Sequence, residues 1–190
     1  MKTSRLEAFS DGVIAVIITI MVLELKVPHV ATPQALLADA PSFLVYGLSF
    51  AVVAIMWVNH HHFLAKARYA DPALLWSNNN LLFWMSLIPF VTAFLGENCH
   101  QPFAVAVYGA VMALTCAAFL ILQIVLTRQN HDDEARQIEF RRLNWKSTAT
   151  VLCYAASVPL AYVSVNVSFA IFVFFPLIYF WPERKHTTSD

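Results

Sequence analysis

Long apolar runs separated by short polar stretches make up most of this 190-residue chain, and few folds accommodate such a pattern. Hydrophobic residues account for 59% of the sequence and charged residues for only 13%, which is about half the charged share of an ordinary soluble domain. A helix that crosses a bilayer needs about 20 mostly apolar residues. The runs therefore predict an all-α polytopic membrane protein, and they argue against a disordered chain, a disulfide-stapled secreted domain or a soluble enzyme.

Six apolar runs are candidates for membrane-spanning helices, and together they predict one six-helix domain over residues 1–190. They cover residues 12–28, 42–65, 75–96, 103–127, 147–163 and 167–181. The last two are short, because a helix of 15 residues covers only about 22 Å. Between the first two runs, Thr32 followed by Pro33 predicts the N-cap and first residue of a short helix.

The basic residues favour an even number of spans. Apart from Lys26, they all fall before the first run, after the second, after the fourth or after the sixth. The positive-inside rule then places both termini in the cytoplasm. The residues are Lys2, Arg5, Lys66, Arg68, Arg128, Arg136, Arg141, Arg142, Lys146, Arg184 and Lys185. The formal net charge is zero, so no nucleic-acid partner is expected.

Three polar clusters adjoin the first three spans, and polar groups in a membrane need an explanation. The first contains Arg5, Phe9, Ser10 and Asp11 and leads directly into span one. On spacing alone it is typical of an interfacial helix start, with Ser10 or Asp11 as the N-cap.

The second cluster consists of Trp57, Asn59 and three consecutive histidines that begin at His60. Adjacent helical side chains point about 100° apart, so the three histidines cannot converge on one ligand. No further histidine follows at a spacing that would complete a metal site. An interfacial belt anchored by Trp57 remains an alternative to a functional cluster.

The third cluster begins with three consecutive asparagines, of which Asn79 lies seven residues before Ser86 and therefore shares its helix face. Pro89 is expected to kink this span. Polar contacts between helices are the simplest use of such residues. All three clusters lie near the cytoplasmic ends of their spans, so we expect Asp11 to point towards His60 and Asn79.

Arg5 together with Phe9, Ser10 and Asp11 resembles the RxxxFSD signature of the transmembrane-protein-175 family, which comprises endosomal and lysosomal potassium channels and their bacterial relatives. Trp57, His60, Asn79 and Ser86 are also similar to the family's pattern over spans two and three. The resemblance implies a potassium-permeable cation channel and not an enzyme. It also implies a homotetramer of one-unit chains in the bacterial inner (plasma) membrane, with no cofactor besides the permeant K⁺.

In this family the first helices line the pore, and large apolar side chains form its constriction. At about 100° per residue, one face of span one carries Gly12, Val16, Thr19, Ile20, Leu23 and Val27. The resemblance aligns Val16 with the family's constriction isoleucine and Thr19 with the position three residues later. Because valine is smaller, the narrowest ring can lie at Ile20 or Leu23. Without the resemblance, such a stripe is more typical of packing against lipid or protein than of a pore lining, since every face of span one is apolar.

Two other functions compete with the channel. A proton-coupled secondary transporter would use Asp11 and His60 as a relay, although no sequence repeat relates the two halves of the chain. A membrane enzyme would need a histidine-bound metal, for which the spacing offers no ligand set. Constant unitary currents favour a channel, whereas saturable flux coupled to protons favours a carrier.

Overall fold

The computed structural model describes residues 3–130 and 134–180, and within these ranges the chain forms helices and no strand. The helices are α1 (Thr3–Leu23), α2 (Pro33–Ala38), α3 (Ala40–Leu64), α4 (Pro72–Ser86), α5 (Ile88–Glu97), α6 (Pro102–Gln129), α7 (Glu134–Val163) and α8 (Val165–Phe180). The predicted all-α class is therefore confirmed. The predicted end of span six at residue 181 lies outside the described residues, as do Lys2, Arg184 and Lys185.

Among the described residues, four helical stretches are long and apolar enough to cross a membrane: α1, α3, α4 with α5, and α6. They correspond to the first four predicted spans. α7 begins at Glu134, well before the apolar run at residue 147, because the polar segment before it contains no glycine or proline to end a helix. α8 offers only a shorter apolar stretch, Val165–Phe174. The count of six spans therefore stays a prediction.

Short polar residues and prolines set the helix ends in this part of the chain. Thr32 Oγ1 accepts a hydrogen bond of 3.2 Å from the Ala35 amide, which confirms the predicted cap of α2. The third predicted span is broken at Leu87, between α4 and α5. Pro89 follows the break at the start of α5, where its missing N–H removes a helical hydrogen bond. The predicted kink is therefore confirmed.

α6 is the central helix of the bundle and packs against α3, α4, α5, α7 and α8. Its Tyr108 is fully buried, and the Tyr108 hydroxyl lies 3.1 Å from Ser49 Oγ of α3. Thr92 of α5 donates to the same Ser49 oxygen over 2.8 Å. These hydroxyl groups satisfy one another, which avoids the cost of unpaired polar atoms in the interior.

α7 and α8 form a hairpin in which Ser164 alone separates the two helices. Ser168 Oγ of α8 donates to the Ser157 carbonyl of α7 over 2.9 Å. Gly109 of α6 faces this contact, and a Cβ there would press against Ser157 Oγ and lie 3.5 Å from Phe172 Cζ. The absent side chain allows α6 to approach the hairpin closely.

α1 packs against α3, α4 and α5 with one face only. That face is buried and consists of Leu6, Ser10, Ile14, Ile17 and Met21. Just beyond α1, Lys26 Nζ lies 2.7 Å from Glu97 Oε1 at the end of α5. The hydrogen bond and charge of Glu97 raise the pKa of Lys26 above its usual value. Both side chains are well exposed, so this ion pair adds little to stability.

Candidate functional site

The outward face of α1 carries the four side chains that the sequence placed on a common stripe. The exposed fractions are 53% for Val16, 41% for Ile20 and 79% for Leu23. Thr19 is exposed as well, and its hydroxyl donates to the Val16 carbonyl over 2.9 Å. The Thr19 oxygen keeps its lone pairs for a further partner such as a cation or water. The stripe is therefore turned away from the subunit's own core.

A groove lies between α1 and the α4–α5 break, and Val16 and Ile20 of the stripe form part of its wall. It has a volume of about 640 Å³ and is lined mainly by apolar side chains. Phe90 is 63% exposed and forms one wall together with Pro89 and Ser86. Glu24, an exposed acid, lies at one end of the groove. The groove and stripe together form one continuous uncovered face of α1.

Buried polar side chains from three helices meet in the N-terminal half of α1. Asn78 Nδ2 of α4 donates to Ser10 Oγ of α1 over 3.0 Å, and His60 Nε2 of α3 lies 2.7 Å from Asn78 Oδ1. A carboxamide oxygen only accepts, so the His60 Nε2 carries the proton in this pair. All three side chains are buried. Polar side chains thus connect α1, α3 and α4 as predicted, and Asn78 contacts both of the other helices.

The sequence assigned this position to Asn79, and the structure corrects that assignment. Asn79 is exposed, because one residue turns a helical side chain by about 100°. Asn78 shares the buried face of α4 with Leu74, Leu81 and Met85. Ser86, which was expected to join the same cluster, is exposed and donates to the Phe83 carbonyl of its own helix over 2.7 Å.

Asp11 and His60 have different partners, contrary to the expectation that Asp11 points to His60 and Asn79. The Trp57 indole Nε1 donates to Asp11 Oδ1 over 2.9 Å. This hydrogen bond links α3 to α1. Arg5 and Phe9, the other two signature residues, are exposed at the same end of the helix. The arrangement gives Asp11 and His60 no direct relay between them.

The three consecutive histidines point to three different surroundings, as the helix geometry requires. His60 is buried, whereas His61 and His62 are exposed, and His61 Nδ1 lies 2.7 Å from Glu7 Oε1 of α1. The contact between His61 and Glu7 was not predicted, since nothing in the local spacing pairs two residues on separate helices. Among the described residues, no group of three or more His, Cys, Asp or Glu side chains is placed to hold a metal ion.

Comparison with known proteins places this geometry among channels. The family model described as Endosomal/lysosomal potassium channel TMEM175 matches residues 5–89, which include the α1 stripe and the polar cluster. A potassium channel of Chryseobacterium sp. (strain P1-3) is 35% identical, and the match covers 97% of this chain and 96% of that protein.

Two further relatives extend the comparison. The crystal structure of a lysosomal potassium-selective channel TMEM175 homolog from Chamaesiphon minutus is 31% identical, with a TM-score of 0.73 over 93% of this chain and 95% of that one. The human endosomal/lysosomal proton channel TMEM175 is 31% identical over 54% of this chain and 23% of the longer human protein. Fold and sequence thus agree on the relatives over most of the chain.

Proposed function

Because this chain belongs to the TMEM175 family, a family of ion channels and not of enzymes, we propose that it forms a potassium-permeable channel in the inner (plasma) membrane of a bacterium. The relatives that match nearly its whole length are potassium channels. The observation that carries the proposal is the exposed face of α1, where Val16, Thr19, Ile20 and Leu23 lie outside the subunit's own core.

The proposed channel is a homotetramer with four copies of α1 around its axis. Neighbouring subunits contact the side of the groove formed by Ser86 and Phe90, and the stripe side, which includes Val16 and Ile20, faces the ion pathway. Rings of Ile20 and Leu23 narrow this pathway. Water leaves a narrow apolar constriction easily, and a constriction without water blocks the passage of ions. The Thr19 hydroxyls replace part of the water that a cation loses there. Selectivity then comes from pore width and the cost of dehydration, because the sequence has no TVGYG segment.

The proposed topology has six spans with both termini in the cytoplasm. Its support is the alternation of basic loops with loops nearly free of lysine and arginine. In this orientation Ser10, His60 and Asn78 lie near the cytoplasmic end of the pore helix. Their hydrogen bonds hold α1 against α3 and α4. The hydrogen bond from Trp57 to Asp11 is a second link between α3 and α1.

Recordings from the purified protein in planar lipid bilayers test the proposal. With potassium on one side and sodium on the other, we expect unitary currents of constant size and a reversal potential that favours potassium. A reversal potential equal to that of an unselective pore, or the complete absence of unitary currents from correctly assembled protein, contradicts the proposal.

Proton permeation is a second candidate, because the human relative is named a proton channel. That relative matches only part of this chain, whereas the potassium channels match nearly all of it. A proton gradient imposed across the same bilayers distinguishes the two: a proton channel shifts the reversal potential with the pH difference, and a potassium channel does not. Saturable flux coupled to protons, without unitary currents, would instead identify a secondary transporter.

A further inference from the structure

Glu24 directly follows α1, at the end of this helix that is the outer one in the proposed topology. It lines the groove that carries Val16 and Ile20, and it also lines a half-open cavity of about 470 Å³ between the outer ends of α1, α3 and α5. The Leu25 amide donates to the Val22 carbonyl over 3.3 Å, so the chain keeps turning past the helix end. Because Glu24 follows Ile20 by four residues, its exposed carboxylate lies about one helical turn further out on the same side.

The stability of α1 does not explain an acid at this position. A helix carries partial negative charge at its C-terminal end, so a carboxylate next to that end is unfavourable. Within the described residues, Glu24 forms neither an ion pair nor a side-chain hydrogen bond that would offset this repulsion. Packing within the subunit therefore gives Glu24 no role, and its place beside the stripe points to a role in the ion pathway.

The cavity beside Glu24 carries an excess of acidic side chains. Among its lining residues, all of which lie in the described part of the chain, Glu24, Asp39 and Glu97 are acids and Lys26 is the sole lysine or arginine. Lys26 Nζ lies 2.7 Å from Glu97 Oε1, and Asp39 attracts it as well. In the proposed topology Lys26 is also the sole lysine or arginine on the outer side of the membrane, so a neighbouring subunit has no other to offer. The charge of Glu24 therefore stays uncompensated in an assembly.

We propose that four copies of Glu24 surround the outer mouth of the pore and concentrate potassium ions before these reach the apolar constriction. This inference rests on the proposed tetrameric channel. Rings of acidic side chains line the pathways of cation channels, and an opening with one sign of charge and low-dielectric walls raises the local concentration of counter-ions and the rate at which they enter. The apolar rings of Ile20 and Leu23 offer a cation no such attraction.

The Glu24 carboxylates act through space on hydrated ions. Because Glu24 is exposed, it keeps its own water and does not replace the hydration shell of a cation. Potassium and sodium carry the same charge, so the ring raises the entry of both and sets the conductance, whereas the width of the pathway sets the choice between the two ions. The attraction also weakens with salt, since the Debye length falls from about 10 Å at 0.1 M to about 3 Å at 1 M.

Single-channel recordings from outside-out patches, in which the bath solution meets the outer face, test the proposal on the full chain. In symmetrical 0.1 M KCl, Glu24→Gln should lower the unitary inward current by about two- to threefold and the outward current by less. In 1 M KCl the difference should shrink to less than about 1.3-fold, because salt screens the ring. The potassium-to-sodium permeability ratio should stay unchanged.

Two variants serve as controls. Glu24→Asp keeps the charge and should conduct like the wild type. Asp39→Asn removes one outer carboxylate from a residue that lines the cavity but not the groove, and it should lower the inward current by less than about 1.3-fold. The Asp39 side chain does not cap α3, so its neutralisation leaves the helix start intact.

A change of charge on an assembled channel gives a second measurement, which does not depend on how well Glu24→Gln assembles. In a Cys99→Ser background, which removes the native thiol from the cavity wall, Glu24→Cys is modified from the bath with methanethiosulfonate reagents. A reagent that adds a sulfonate should raise the inward current in 0.1 M KCl, and one that adds a trimethylammonium group should lower it.

Four results would overturn the proposal and leave the channel standing. They are an undiminished inward current in Glu24→Gln, a reduction that persists in 1 M KCl, an equal reduction in Asp39→Asn, and equal effects of the two reagents on Glu24→Cys. The absence of unitary currents from assembled wild-type protein would instead contradict the proposed function, and this inference with it.

Discussion

Asn78 is a single side chain that joins three helices. Its amide nitrogen donates to Ser10 of α1 and its oxygen pairs with His60 of α3, while its own backbone belongs to α4. Each partner is buried, so the loss of Asn78 leaves polar atoms that water does not reach. Asn78 therefore contributes to stability mainly because its removal would leave buried polar atoms of Ser10 and His60 without these hydrogen-bond partners.

The first prediction concerns this side chain. Asn78→Leu keeps the approximate size but removes both hydrogen bonds, and we expect a loss of about 1–3 kcal/mol in the free energy of unfolding. The exposed neighbour supplies the control: Asn79→Leu should change it by no more than about 0.5 kcal/mol. Thermal unfolding of the detergent-solubilised variants measures the difference, and equal melting temperatures would show that Asn78 has no structural role.

The second prediction concerns Thr19, whose hydroxyl is exposed on α1 and bonded to its own helix. Thr19→Val keeps the shape and removes the oxygen, so the potassium-to-sodium permeability ratio should fall by about two- to tenfold, the effect of one hydrogen-bond-sized interaction. Thr115→Val removes a similar hydroxyl, bonded to the Val111 carbonyl, from a buried position on α6 and should leave the ratio unchanged. Bi-ionic reversal potentials measure the ratio, and parallel behaviour of the two variants would exclude Thr19 from the ion pathway.

The third prediction concerns Asp11 and separates a channel from a proton-coupled carrier. Asp11→Asn keeps an oxygen that accepts the Trp57 N–H, so the protein should remain assembled with a stability change of less than about 1 kcal/mol. A channel should retain its potassium currents. A carrier that relays protons through Asp11 should instead lose pH-driven flux while staying folded. Flux across a pH gradient, measured on the folded variant, decides between these outcomes.

At the scale of single residues, the sequence indicated which clusters meet but not which member makes the contact. Three consecutive asparagines occupy about 200° of a helix, and their own spacing does not show which one faces inward. The buried Leu74, Leu81 and Met85 of α4 decide in favour of Asn78. Because Trp76 and Phe83 place apolar side chains on the exposed side as well, hydrophobic periodicity alone does not select it. The bond between Trp57 and Asp11 links residues 46 positions apart, and no local pattern reveals such a pair.

At the scale of helices, the close approach of α6 to the α7–α8 hairpin depends on Gly109. Ser157 Oγ, which donates to the Tyr154 carbonyl over 2.6 Å, occupies the space where a side chain at position 109 would begin. Any larger residue must break that hydrogen bond or push the helices apart. The packing of a densely filled interior responds to even one added carbon.

The fourth prediction follows from this contact. Gly109→Ala should destabilise the protein by about 1–3 kcal/mol, the usual cost of overpacking, although alanine favours the helix itself. Gly47→Ala is the control on α3, where an added Cβ meets nothing within 4 Å, and it should be neutral or stabilising by up to about 1 kcal/mol. Melting temperatures of the two variants give the comparison. If Gly109→Ala is as stable as Gly47→Ala, the approach of α6 to the hairpin is looser than the structure indicates.

Helix ends and breaks were predictable where a residue has a strong local preference. The Thr32 cap and the effect of Pro89 depend on the backbone within a few residues, so the sequence alone is sufficient. The start of α7 was not predictable from hydropathy, because its polar first half carries no apolar run and no helix breaker. The close contact at Gly109 also escaped the sequence, since the partner residue Ser157 lies on another helix.

At the scale of the whole molecule, the proposed function depends on the exposed face of α1. All faces of span one are apolar, so hydrophobic periodicity alone does not separate an inward face from a pore-lining or lipid-facing one. The structure supplies the distinction, because Ile14, Ile17 and Met21 are buried while Val16, Ile20 and Leu23 are exposed. In the proposed assembly of four chains of 21.4 kDa, the exposed faces of the four α1 helices surround a central axis and contact neighbouring subunits.

If the exposed stripe of α1 lines the ion pathway, the unitary conductance of Ile20→Asn should reveal it. An amide at this position should wet the constriction, raise the conductance and weaken discrimination between potassium and sodium. Ile121→Asn is the matched control, because Ile121 is similarly exposed but lies on α6, outside the groove beside α1. We expect a larger conductance for Ile20→Asn and an unchanged conductance for Ile121→Asn. Unchanged conductance and selectivity in an assembled Ile20→Asn channel would contradict it.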